Sequence, residues 1–148
     1  MAEPKQVIVP TGTGQADALL LSCIDYRLPG KIARYMEGRG LDANYDHVIL
    51  AGASLGVTNT VFPHWGQSFR DHLDLAIKLH NIRRVIILDH RECGSYRVIF
   101  GTNLSGDEET AQHARELHRL AREIHDAYPS LEVEKLLMAL DGSVETVE

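Results

Sequence analysis

Cysteine is almost absent from this chain: the 148 residues contain 2, Cys23 and Cys93. A fold stapled by several disulfides is excluded, and two thiols spaced like ligands fit a reducing compartment, with the cytoplasm as the expected location. An excess of basic residues is also missing. Lys and Arg total 15 against 21 Asp and Glu, a net charge of −6, so neither nucleic acid nor an anionic membrane is expected as principal partner. No apolar run approaches the length of a membrane span. The N-terminus, Met1 to Val7, lacks the basic start and long apolar stretch of a secretion signal. Repeats, low-complexity tracts and linkers are lacking too. What remains, 44% hydrophobic and 24% charged residues, describes one soluble globular domain large enough to bury a core.

Residues 1–15, with Pro4, Pro10, Gly12 and Gly14, carry no helical period and read as an extended arm. The domain occupies 16–148. Strand-length apolar runs are expected at Ala16–Ser22, His47–Ala51 and Val85–Leu88, the last apolar on both faces as a central parallel strand requires. Pro29 suits the first turn of a helix reaching Met36. A second helix runs from Gly66, and a long one from Asp107 to about Ala127 presents Ala114, Leu117, Leu120 and Ile124 to the core. His113, His118 and His125 are assigned to its solvated face. The segment 52–56 reads as a small-residue turn, 58–65 as a loop, and the tail as a strand closing with an Asp141-Gly142 turn. The expectation is an α/β fold: helices on both sides of a mostly parallel four-stranded sheet plus an edge strand.

His90 and Cys93 stand three residues apart just past one apolar run, and Cys23 stands just past another. A parallel sheet would bring them together at its carboxyl edge, where open α/β sheets build their sites. Two thiolates and an imidazole leave zinc one ligand short of a tetrahedron, the arrangement of a catalytic site. Water in the open position would lose its proton readily and attack a small electrophilic carbon. Because two thiolates cancel the ion's charge, activity should favour alkaline pH. Asp25 is close enough either to accept a hydrogen bond from that water or to bind the metal itself. Arg27 decides between these by gripping the carboxylate with its guanidinium; a purely structural salt bridge is the competing reading. Gly94 is assigned to a tight turn beside the substrate. His64 is either a proton shuttle or an exposed loop histidine, and Phe62 and Trp65 either wall a pocket or anchor their loop.

Cys23-x-Asp25-x-Arg27 followed by His90-x-x-Cys93-Gly94 resembles the paired signature of the β-class carbonic anhydrases. Residues 68–76 and 138–144 are similar to that family's helix before the His strand and to its last strand and turn. The resemblance implies reversible hydration of carbon dioxide to bicarbonate, one zinc per chain held by Cys23, His90 and Cys93, catalytic roles for Asp25 and Arg27, and a homodimer or larger assembly. Hydrolysis of carbonyl sulfide or carbon disulfide on the same scaffold, or a catalytically silent zinc-binding homologue whose Asp25 closes the tetrahedron, are the alternatives. Gln67 and Phe69 are candidate stand-ins for the family's pocket residues. At 51–54 the chain reads Ala-Gly-Ala-Ser where the family commonly has an Arg-Asn-Ala-Gly-like turn.

Overall fold

The computed structural model of the protein describes residues 14–148, so the expected arm lies almost entirely outside the described residues. Five strands form one sheet: β1 (Ala18–Ser22), β2 (Tyr45–Ile49), β3 (Arg84–His90), β4 (Glu132–Met138) and β5 (Val144–Thr146). Their spatial order is β2-β1-β3-β4-β5, with β5 alone antiparallel. After β1 the chain adds β2 on one side, then crosses back to lay β3 on the other. The carboxyl ends of β1 and β3 therefore flank the point where the winding reverses, the crevice in which open α/β sheets hold ligands.

β1 and β3 are buried on both faces, as their unbroken apolar sequences require. Their side chains alternate between two cores. Leu19, Leu21, Val85, Ile87 and Leu137 pack with Phe69, Leu73, Leu117 and Leu120. Leu20, Ile86, Leu88, Leu136 and Met138 face Leu28, Ile32 and Met36 on the opposite side. The sheet is thus the middle of three layers.

The helices are α1 (Pro29–Gly38), α2 (Ser54–Thr58), α3 (Pro63–His80), α4 (Gly94–Phe100) and α5 (Gly106–Ala127). Pro63, not Gly66, opens α3: a proline costs nothing where no intrahelical N–H bond is due. His64 and Trp65 accordingly lie in a first helical turn and not in a loop. Asn81, in the left-handed conformation, ends that helix. Segment 52–56 is a turn only as far as Ala53, after which α2 begins. β2 begins two residues earlier than the apolar run suggests and ends at Ile49. The tail is two strands: β4 lies inside the sheet beside β3, and β5, reached through the Asp141-Gly142 turn, is the edge opposite β2.

Candidate metal centre

Each suspected ligand is delivered by a strand end. Cys23 follows β1, His90 closes β3, and Cys93 directly precedes α4. Their sulfur and nitrogen atoms all lie within 4.8 Å of one another, and all three residues are buried. The two sulfurs are 3.9 Å apart. Among the described residues this is the one group of three or more His, Cys, Asp or Glu side chains with such convergence.

The histidine carries its own evidence of a missing partner. Its Nδ1 lies 2.7 Å from the Arg91 carbonyl oxygen, which can only accept, so Nδ1 bears a proton and Nε2 is the ring nitrogen left to meet a metal. That Nε2 is buried without a hydrogen-bond partner. Burying an unsatisfied polar atom is costly, and backbone bonding through the other ring nitrogen is how metal-ligating histidines are oriented. Two sulfurs and one nitrogen are a zinc donor set with one position open.

The two sulfurs are close enough for one thiol to donate to the other. The bond from Cys93 stabilises a Cys23 thiolate and holds its pKa well below the usual thiol range against the opposing effect of burial, helped by His90 and by the Gly52 N–H 3.3 Å from Sγ. Cys93 is pushed up by that same thiolate and by burial. Burial works against charging His90, but the adjacent Cys23 sulfur, the Arg91 carbonyl and Asp25 raise its pKa overall. Thiols bind metal as thiolates, so loading such a cluster releases protons.

Asp25 stands beside the cluster, its Oδ2 3.8 Å from His90 Nε2. Arg27 grips it: Nε donates to Oδ1 at 2.9 Å, Nη2 to Oδ2 at 2.7 Å, and the Arg27 backbone N–H to Oδ1 at 2.9 Å. These bonds, above all those from the guanidinium, hold the carboxyl at about 2. The guanidinium is itself tied to the Glu92 carbonyl. Asp25, Arg27, Cys93 and Gly94 line a cleft of about 950 Å³, with Arg97 and Glu109 on its walls.

Gly94 lines the cleft but does not make the expected tight turn. Its φ is not positive, and a Cβ there would meet only Arg97 Nη2, at 3.9 Å. The strained turn lies two residues earlier, at Glu92 with φ 56. Glu109 holds that turn from α5, accepting the Glu92 N–H at 2.8 Å and the Arg91 guanidinium at 3.0 Å. Neither pocket stand-in reaches the cleft: Phe69 is fully buried core, and Gln67 donates to Asp71 on the exposed side of α3. His64 is exposed and also outside the cleft. Phe62 and Trp65, stacked at 4.2 Å, wall a separate apolar pocket of about 230 Å³ with Leu55 and Val98.

Sequence reading missed Asp89 and misplaced His113. Both are buried, at 1% exposure each. The Asp89 carboxylate accepts hydrogen bonds from the Ser54 N–H at 3.0 Å, Ser54 Oγ at 2.7 Å, Tyr96 Oη at 3.0 Å and His113 Nδ1 at 2.8 Å. His113 is therefore not on the solvated face of α5. The spacing His113, Leu117, Leu120, Ile124 places it on the apolar stripe.

Two relatives from Rickettsia are both described as uncharacterized. The R. conorii protein is 39% identical over 135 residues, covering 90% of this chain and 73% of its own length. The R. bellii protein is 40% identical over 135 residues, covering 90% and 82%. Solved structures share the fold. A β-carbonic anhydrase isoform from Trichomonas vaginalis superposes with a TM-score of 0.59 at 16% identity, over 92% of this chain and 84% of its own. A chain from the work on two tetrameric β-carbonic anhydrases of Sordaria macrospora gives 0.59 at 14% identity, over 90% and 82%. The profile of the family described as "Putative carbonic anhydrase" matches residues 13–148, and the chain belongs to that family.

Proposed function

We propose that this chain is a zinc-dependent enzyme that reversibly hydrates carbon dioxide to bicarbonate. The observation that carries the reading is the pairing of a convergent Cys23, His90 and Cys93 cluster, one atom of which lacks a partner, with a carboxylate held beside it by Arg27. Zinc bound by these three residues would supply Lewis acidity, lowering the pKa of water in its remaining position.

The chain's own groups do the rest. Arg27 occupies both oxygens of Asp25 and so keeps the carboxylate from closing the ligand set. With its carboxyl at about 2, Asp25 is an anion across the neutral range and accepts a proton-bearing partner at the cleft floor. Dependence of the rate on pH near neutrality should therefore not arise from Asp25. Two thiolate ligands temper the ion's acidity, which places best activity on the alkaline side. The cleft opens this floor to solvent and to small neutral reactants.

Homo-oligomerisation belongs to the same proposal. Ile24 and Tyr26, either side of Asp25, are 64% and 87% exposed, and β2 leaves a bare sheet edge that natural proteins cover. Sedimentation at micromolar concentration should give a dimer or larger; a monomer would count against this part.

The test of function is turnover of carbon dioxide, carbonyl sulfide and carbon disulfide by the same zinc-quantified preparation. Fast hydration of carbon dioxide with slow or no turnover of the sulfur compounds supports the proposal. Preference for a sulfur compound would reassign the substrate, and no turnover of any would make the protein a silent zinc-binding homologue.

A further inference from the structure

Asp89 is not one of the suspected ligands, yet its hydrogen bonds lead to two of the three. The first route runs through Ser54. Ser54 gives Asp89 both its N–H and its hydroxyl, and it directly follows Gly52 and Ala53, whose φ values are 86 and 47. Ala53 has a Cβ and pays for this conformation, at a cost that persists only where the surroundings over-determine it. Glycine is required at 52, because a Cβ would sit 3.1 Å from Ser95 Cβ and 3.3 Å from the Gly56 nitrogen. This strained turn aims the Gly52 N–H at Cys23 Sγ, 3.3 Å away.

The second route runs through Tyr96. Its hydroxyl reaches Asp89 from the first turn of α4, three residues after Cys93, and its ring packs on His113 with centroids 4.1 Å apart. The Tyr96 N–H is bonded to the Cys93 carbonyl. Fixing Tyr96 thus fixes the backbone that carries the second sulfur. His113 closes the arrangement from α5, the helix whose Glu109 holds the Glu92 turn. One buried carboxylate ties α2, α4 and α5 to the end of β3.

We propose that Asp89 is a positioning residue for the thiolates: through Ser54 it keeps the Gly52 N–H on Cys23 Sγ, and through Tyr96 it sets Cys93. The inference rests on the reading of Cys23, His90 and Cys93 as a metal site. An N–H bonded to a thiolate withdraws charge from sulfur. Its loss makes Cys23 a stronger electron donor and shifts a sulfur-to-metal charge-transfer band to lower energy. Partners of this outer kind typically change metal affinity by about 10–100-fold when removed.

The experiment uses the full chain loaded with cobalt(II), a coloured substitute for zinc, alongside zinc affinity measured by chelator competition. Ser54→Ala is the principal variant, since it removes one donor and leaves Asp89 paired with Tyr96 and His113. Tyr96→Phe tests the second route, and Asp89→Asn tests the hub. Leu120→Ala, a core substitution away from the network, serves as the destabilised control. The expected result is a red-shifted charge-transfer band and zinc affinity about 10–100-fold weaker in Ser54→Ala, with both readouts unchanged in folded Leu120→Ala. A band and affinity in Ser54→Ala and Tyr96→Phe equal to the parent's would overturn the proposal. Should the parent itself bind neither ion, the metal-site reading fails instead, and the two failures are distinct.

Discussion

Arg27→Ala separates activity from stability more sharply than any other substitution in the site. The Arg27 side chain is about one-third exposed, at 34%, and Asp25 is 12% exposed, so loss of the pair costs a modest, solvent-screened amount of stability. The variant should melt somewhat below the parent while remaining folded, since Asp25 loses the bonds that hold its pKa down, and its zinc content should be unchanged, because Arg27 touches none of the three ligand atoms. Asp25 loses both guanidinium bonds and keeps only the backbone bond to Oδ1. Its Oδ2, already 3.8 Å from His90 Nε2, is then free to turn onto the metal. Carbon dioxide hydration should fall about 10²–10⁴-fold, the usual range for losing a positioned acid-base group. The assay is stopped-flow hydration on zinc-quantified parent and variant, with a crystal structure of the variant to locate Asp25. A variant as fast as the parent, with Asp25 still off the metal, would refute the reasoning and leave the pair a structural salt bridge.

Cys93→Ser should abolish tight zinc binding, checked by elemental analysis after dialysis; a full complement of zinc would remove Cys93 from the ligand set. Gly66→Ala should destabilise the fold by about 1–3 kcal/mol, because a Cβ there would lie 2.5 Å from the Val57 carbonyl oxygen; chemical unfolding measures it, and an unchanged midpoint would contradict the packing. Asp25 has a folded pKa of about 2 against an ordinary 3.8, so its ionised form adds stability that is present in full above the ordinary value and lost as pH falls through the folded one. The stability gap between metal-free parent and Asp25→Asn, followed by urea unfolding, should therefore close between about pH 5 and pH 2; a gap independent of pH would refute the assignment.

The convergence of Cys23, His90 and Cys93 was legible in the sequence because its signal is local. His90 and Cys93 are close neighbours, and Cys23 ends an apolar run that only a buried strand explains. The same holds for Asp25 and Arg27, two residues apart and paired as expected. The parallel sheet followed from apolar runs alternating with helical periods. The Asp89 network was not legible in the same way, since its partners are 35, 24 and 7 residues distant and meet only after α2, α4 and α5 have docked. A signal for His113 did exist in its spacing to Leu117, Leu120 and Ile124, but its polarity argued for the outer face and prevailed. Glu109 and Glu116 follow suit: both are buried on that stripe, bonded to Arg91 and to Thr58. Gly94 misled in the opposite direction, because a glycine after a ligand suggests a turn that Glu92 in fact makes.

On the proposed reading, one zinc at Cys23, His90 and Cys93 makes this chain a carbon dioxide hydratase. The measurement that addresses it most directly is a titration of metal-free protein with zinc at alkaline pH, reading the hydration rate after each addition. The rate should rise linearly and break at one zinc per chain, in keeping with the single convergent cluster among the described residues. Hydration by the metal-free protein, or no hydration once that equivalent is bound, would contradict it.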